Sequence, residues 1–337
     1  MSLPTFGRYR LLRPLARGAT GQVFLAVQGV APALTVVVLK RLHPQVARLP
    51  QVRERFFDEA RLTLTLPRNK NLSGLVSTFE VGEAEGLPYT TNTYVPGPSI
   101  RSILLKQERT QLQVPIWLLV EIMARAADAV AQLYDCDEPK PGEPNFAHAD
   151  LSPQHVLVSR SGEVKLIDYA VVGIPGITGV PAWRPHLRQF ASPELLKGEP
   201  VVAPSDLYTL TLALVRLLGL EYQPPDEQGK VRLSNFSWQT RLFQSFLMRA
   251  LHPDPHQRFD SPAEYAKALR ELQLAVPAPP LNLPDWISDL ALEGREVYRT
   301  QRGGPAESEK NLTSPGAEIW LRRLLTPEEL SELSRPI

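Results

Sequence analysis

Two carboxylates are the residues of this chain whose setting points most clearly to chemistry. Asp150 lies in His148-Ala149-Asp150-Leu151-Ser152-Pro153-Gln154-His155-Val156-Leu157. Asp168 follows eleven residues after Leu157, in Lys165-Leu166-Ile167-Asp168-Tyr169-Ala170. An ionised carboxylate accepts protons and holds hard cations such as Mg²⁺ through oxygen. His155, in the same stretch, offers nitrogen instead, a poor Mg²⁺ ligand but an acceptable one for softer metals. Val156-Leu157-Val158 and Val164-Lys165-Leu166-Ile167 read as short strands around Ser161-Gly162, so a hairpin separates the two acids.

Other chemistry-bearing residues precede this stretch. The run Tyr9 to Ala26 contains Arg17-Gly18-Ala19-Thr20-Gly21-Gln22-Val23. Gly18 and Gly21 would let backbone approach a phosphate closely, although a plain β-turn with two glycines gives the same pattern. Thr35-Val36-Val37-Val38-Leu39-Lys40 is an apolar strand ending in Lys40, whose charge is costly to bury unless it is paired. The run Val52 to Leu62 places Phe56, Glu59 and Leu62 about every third residue and reads as a helix.

In this order the segments resemble the motifs of the protein kinase family. Residues 16–23 resemble the Gly-rich loop, with Ala16 in place of its first glycine. Lys40 and Glu59 match the family's Lys and helix Glu, and residues 148–157 and 168–170 resemble the catalytic loop and the metal-binding turn. Gly86 to Gly97 resembles the fifth strand and hinge, with Asn92 at the gatekeeper position. Ser192-Pro193-Glu194, Ser205-Asp206 and Arg258 resemble later structural signatures. The resemblance runs from residue 8 to about 273 through at least six motifs, and the Ser-Pro-Gln phrase is most similar to bacterial, in particular myxobacterial, Ser/Thr kinases. An unrelated hairpin would explain the strands but not the His-x-Asp and the later Asp at these offsets.

The resemblance implies an α+β, bilobal kinase-like fold with a small β-rich N-lobe and a larger, mostly helical C-lobe. It implies ATP with Mg or Mn as cofactors, and a protein substrate or regulatory protein as partner. Asp150 would be the catalytic base, Lys40 would meet the phosphates and Glu59, and Asp168 with His155 would hold metal. Gly18, Gly21, Val23, Val38, Lys40, Thr93, Val95 and Leu157 would surround the nucleotide, with Thr93 to Val95 offering backbone groups to adenine. Glu194 and Arg258 would form a buried ion pair, and Asp206 would anchor the catalytic-loop backbone. Ser205 reads as a helix cap.

Several positions depart from the pattern. Ala149 replaces the Arg that reads a phosphorylated activation segment, His155 replaces a metal-binding Asn, and Ala170 replaces a Gly. Ser152 sits where many Ser/Thr kinases have Lys, and Val38 is larger than the usual Ala. The segment Val171 to Phe190 offers a single hydroxyl, Thr178, among several prolines, so control by its phosphorylation is not expected. Three readings remain: a divergent Ser/Thr kinase, a pseudokinase scaffold, and a small-molecule phosphotransferase of the aminoglycoside-kinase type. The Glu194, Asp206 and Arg258 set argues against the third.

The chain has 337 residues, a net charge of +1 and 43% hydrophobic residues, which allows a sizeable core and implies no polyanion partner such as nucleic acid. A single cysteine, Cys136, excludes an intramolecular disulfide framework. Nothing at the N-terminus reads as a signal peptide, and the longest apolar run, Leu210 to Leu220, contains Arg216 and is too short to span a bilayer. A cytoplasmic protein without a membrane span is expected. The kinase-like domain is expected over 8–274, with the lobes meeting near residue 95. From 275 to 337 a Pro-rich linker would lead into a partly disordered or short-helical tail, either frayed or docked. Pro284 to Leu290 is one candidate helix there, Pro327 to Ser334 another. The isolated histidines His43, His186 and His252 read as structural or solvated, and the tryptophans as packing residues.

Overall fold

Alternating apolar and polar residues build an antiparallel sheet from the first part of the chain. Its strands are β1 (Thr5–Phe6), β2 (Tyr9–Arg17), β3 (Gly21–Gln28) and β4 (Thr35–Leu42), then β5 (Thr78–Ala84) and β6 (Leu87–Thr93). The computed structural model describes residues 3–18, 20–30, 33–65, 72–135, 148, 150–169, 188–199, 201–226 and 229–293. The strand order is β1-β2-β3-β4-β6-β5. The β-branched run in β4 suits its central place, paired on both sides. A short helix α1 (Pro44–Ala47) leads into α2 (Pro50–Thr65), which packs against β5 and β6.

The two faces of the sheet differ. Phe6, Tyr9, Leu11, Ala26, Val37, Leu39 and Tyr89 form a buried apolar cluster, with Phe6 and Tyr89 edge to face at 5.6 Å. Side chains alternate along a strand, so Val38 and Lys40 face the other way from Val37 and Leu39. Cross-strand neighbours share a face. Val23 opposes Lys40, Thr90 opposes Lys40 from the other side, and Asn92 opposes Val38. The second face therefore carries Val23, Val38, Lys40, Thr90 and Asn92 together.

The remaining elements are mostly helical. They are α3 (Ile100–Thr110), α4 (Ile116–Tyr134), the hairpin β7 (Val156–Val158) and β8 (Val164–Leu166), α5 (Pro193–Lys197) and α6 (Ala203–Leu217). After these come the small hairpin β9 (Glu221–Gln223) and β10 (Arg232–Ser234), α7 (Gln244–Ala250), α8 (Pro262–Gln273) and α9 (Leu283–Glu293). Helices α4 and α6 are apolar on nearly all faces, as expected of helices inside a core. Helix α4 packs on α6 and α8 and supports β8.

The chain divides into two compact units. One holds the sheet with α2, the other Gly97–Ile287 together with the residues just before Val76. The architecture is α+β, as expected. Three expectations change in detail. Helix α6 starts at Ala203 with Val202 as its cap, so Ser205 lies inside the first turn and its hydroxyl accepts from the Val202 amide at 3.1 Å. Trp238 is 80% exposed and is not a packing residue. The Pro284 segment forms α9, with Leu283, Trp286, Ile287 and Leu290 all buried.

Candidate active site

The hairpin β7–β8 carries one acid before it and one after it. The two ends are stitched together by imidazoles and backbone. His148 donates from Nε2 to the Ile167 carbonyl at 3.1 Å, and the Ile167 amide donates to the His155 carbonyl at 3.0 Å. His155 in turn donates from Nδ1 to the Asp150 carbonyl at 2.6 Å. Asp168 follows directly after Ile167, with a positive φ of 56° that is uncommon outside glycine but tolerated by Asp.

Those bonds fix the ring tautomers. A carbonyl only accepts, so His155 Nδ1 carries the proton and its Nε2 presents a lone pair in the neutral ring. That Nε2 lies 3.8 Å from Asp168 Oδ2, and the Gln154 amide lies 3.3 Å from the same nitrogen. A metal-binding imidazole typically donates its other N–H to a carbonyl, and His155 does so to Asp150. The residues present thus fit a divalent ion held by Asp168 and His155. Among the described residues no group of three or more His, Cys, Asp or Glu could hold a metal ion by itself.

His148 stacks on His155, with ring centres 5.9 Å apart and planes 12° from parallel. Burial lowers its pKa despite the nearby Asp206 carboxylate, and its Nδ1 has no hydrogen-bond partner among the described residues, both consistent with a neutral ring. Asp206, at the start of α6, accepts from the His148 amide at 2.6 Å and from the Tyr134 hydroxyl at 2.8 Å. Burial and then the Asp206 charge push the Tyr134 phenol well above its usual range. Asp206 thus holds the backbone just before Asp150, which is itself buried. The Ser152 hydroxyl is also buried, without a hydrogen-bond partner among the described residues. It does not supply the outward-facing polar group that a Lys at that position would.

Arg258 closes the same unit. Its Nη1 and Nη2 donate to the two Glu194 oxygens at 2.7 and 2.9 Å. Its other donors reach the carbonyls of His252, Pro204 and Pro253, so all five N–H groups are used. Burial pushes the Glu194 carboxyl up, but the bonds and charge of Arg258 outweigh that and hold it below the usual range.

The segment from Gly97 runs beside β7. A Cβ at Gly97 would lie 1.9 Å from the Val158 carbonyl, so only glycine permits this approach. The Val158 amide bonds the Pro98 carbonyl at 2.9 Å, and Ser99 bridges to Leu157. This fixes the backbone that carries the half-buried Leu157.

In the sheet unit, Lys40, Val38 and Val23 share the face described above. Asn92 Oδ1 accepts from the Thr78 hydroxyl at 2.8 Å, which orients its amide. The Thr93 amide donates to the Ser77 carbonyl at 2.9 Å, so the group Thr93 can offer a ligand is its carbonyl. Val95 is buried. Glu59 on α2 accepts from Arg55 Nε at 2.8 Å, one turn away. Gly21 is required by the sheet itself, since a Cβ there would meet the Arg41 carbonyl at 2.3 Å. The Gly18 amide closes the loop by donating to the Gly21 carbonyl at 2.9 Å. Ala149, Ala170, Thr178 with the rest of 171–187, the polar stretch 299–318 and the segment Pro327 to Ser334 lie outside the described residues.

This chain belongs to the protein kinase family: the family model of the protein kinase domain matches residues 9–271. It is similar to the tyrosine-protein kinase MasK of Myxococcus xanthus, 26% identical over 287 residues that cover 79% of this chain and 43% of that protein. It is also similar to the serine/threonine-protein kinase PksC of Streptomyces coelicolor, 29% identical over 295 residues, 81% of this chain and 49% of that one. The chain therefore spans less than half the length of these two relatives. Its fold matches the Mycobacterium tuberculosis PknI kinase domain with a TM-score of 0.57 and 25% identity, covering 81% of this chain and 98% of that domain. Among the described residues no helix is long and apolar enough to cross a membrane.

Reading the sequence missed three contributors. Gly97 was signalled only by its Pro-Gly dipeptide. Tyr134 and Thr78 had no signal, because their roles depend on partners distant along the chain.

Proposed function

We propose that this chain is a divergent protein kinase that transfers the γ-phosphoryl group of ATP to Ser or Thr hydroxyls of a protein substrate. Residues 8–274 would form its catalytic domain, with 275–337 appended. The observation that carries this reading is the stitched hairpin. Three hydrogen bonds through His148, Ile167 and His155 hold Asp150 and Asp168 in fixed relation. Such preorganisation is what phosphoryl transfer asks of a protein.

As the substrate hydroxyl oxygen bonds the γ-phosphorus, the bond from that phosphorus to the β–γ bridging oxygen breaks and ADP leaves, and Asp150 would accept the hydroxyl proton. Asp168, with His155, would hold the divalent ion, which when bound would neutralise charge on the phosphates. Lys40 would contact the phosphates, and Glu59 would hold Lys40 in place on leaving Arg55, its partner in this structure. In the sheet unit Val23 and Val38 would face the adenine, with the Thr93 carbonyl and the Val95 backbone at its edge, and Gly18 and Gly21 would belong to the loop over the phosphates; in the helical unit Leu157 is the residue the resemblance assigns to the adenine. Mg²⁺ and Mn²⁺ are both candidates, and the imidazole favours Mn²⁺.

The test is phosphate transfer from labelled ATP to a generic Ser/Thr substrate such as casein, comparing wild type with Asp150→Asn. We expect the variant to lose about 10²- to 10⁴-fold in rate, the usual share of a positioned general base. Equal rates in the two proteins would remove Asp150 from the role.

One contact favours a second reading. A protonated His155 would form an ion pair with Asp168 across the same 3.8 Å and take the place of the cation. The chain would then act as a pseudokinase scaffold, and no wild-type transfer with either metal would support that reading.

A further inference from the structure

His43 lies just beyond β4, outside the motifs given roles above. Its backbone amide donates to the Thr20 carbonyl at 2.9 Å. Its ring Nε2 sits 3.0 Å from the Gly18 carbonyl. Since a carbonyl only accepts, that nitrogen carries a proton and donates. One residue therefore holds two carbonyls of the Gly18–Gly21 turn against the end of β4.

The consequence follows from peptide geometry. A trans peptide is planar, with its C=O and N–H pointing in opposite directions. With the Thr20 carbonyl turned toward His43, the Gly21 N–H points away from it. The Gly18 amide fastens to the Gly21 carbonyl at 2.9 Å, and Gly21 packs so near β4 that a Cβ there would meet the Arg41 carbonyl at 2.3 Å. The turn is thus tied at Gly18, Thr20 and Gly21, and one backbone donor has a set direction. Backbone N–H groups fixed in this way suit an anion.

We propose that His43 is a positioning residue of the phosphate loop: by bonding the Gly18 and Thr20 carbonyls it presets the turn for the phosphates of a nucleotide. The proposal rests on the nucleotide reading above. A loop already held in its bound shape avoids the cost of ordering on binding, so the effect belongs to ligands with phosphates and not to the base.

Three full-length proteins test this: wild type, His43→Ala and His43→Gln, whose side-chain amide can donate to the same carbonyl. Hydrogen exchange is followed in the peptide spanning residues 18–22 of the ligand-free protein, and Mg-ATP and adenosine are titrated by calorimetry. We expect His43→Ala to speed exchange in that peptide alone. We also expect it to weaken ATP binding by about tenfold, the scale of one hydrogen bond, with adenosine unaffected. His43→Gln should restore both. Wild-type exchange and wild-type ATP affinity in His43→Ala would overturn the proposal, as would equal losses for ATP and adenosine. A wild type that binds no ATP would remove the nucleotide reading. The clamp would then stand or fall on the exchange comparison alone.

Discussion

Asp168 holds its carboxylate on a left-handed backbone, with φ at 56°, although it is not a glycine. Such a conformation persists only where its surroundings fix it, and the Ile167 bonds to His148 and His155 do so on its N-terminal side. The identities of Asp150, Asp168 and His155 were legible in the sequence. The direction of the His155 ring was not, because it depends on a carbonyl that only the folded loop presents. That direction leads to a prediction. With Nδ1 donating to the Asp150 carbonyl, the Nε2 lone pair accepts from the Gln154 amide at 3.3 Å, and an ion beside Asp168 would have to displace that amide to be held by Nε2. Wild-type transfer should run faster with Mn²⁺ than with Mg²⁺, and His155→Asn should raise the Mg²⁺-supported rate by about tenfold as oxygen replaces nitrogen. Rates measured in each metal decide it. Equal or higher wild-type rates in Mg²⁺, with no gain in the variant, would take His155 out of the metal site.

Among the elements, the start of α6 and the turn holding Arg258 depend on each other through the buried Glu194 pair. Replacing Arg258 with Met leaves a buried carboxylate without its partner, and this should cost about 3–5 kcal/mol at pH 7 by denaturant unfolding. The pH dependence has a definite sign. In the wild type the folded Glu194 value lies below its ordinary 4.5, so the pair contributes fully above that value and the contribution fades as pH falls through the lower folded value. In the variant, burial without Arg258 raises the carboxyl, so protonation relieves it. The stability gap should therefore narrow as pH falls, and a gap independent of pH would contradict the pairing. The sequence showed this pair because its residues sit in recognisable phrases. It misplaced the cap of α6, reading Ser205 as the cap where Val202 holds that position. Proline fits the first turn of a helix, so the helix begins before it and Ser205 falls inside.

At the scale of the molecule, the two units were legible as a strand-rich part followed by a helix-rich part. The strand pattern with period two and the apolar runs of α4 and α6 carry that information on their own. The position of α9 was less legible, since a Pro-rich approach looks the same whether a segment docks or frays. Its buried Trp286, Ile287 and Leu290 make it part of the fold, so truncation after Leu274 should lower stability by at least about 2 kcal/mol. Thr178→Ala and Thr178→Glu should leave transfer rates unchanged, because Ala149 removes the cation that would read a phosphate there. Activity abolished by Thr178→Ala would contradict that account of control. The central claim is nucleotide binding with Lys40 as a phosphate contact, and calorimetry tests it most directly. Mg-ATP and Mn-ATP are titrated into wild type and into Lys40→Ala. We expect saturable binding to the wild type, weakened at least about tenfold in the variant as a charge-assisted phosphate contact is lost. Wild-type binding left unchanged by Lys40→Ala would contradict the site, and no wild-type binding with either metal would contradict the kinase reading itself.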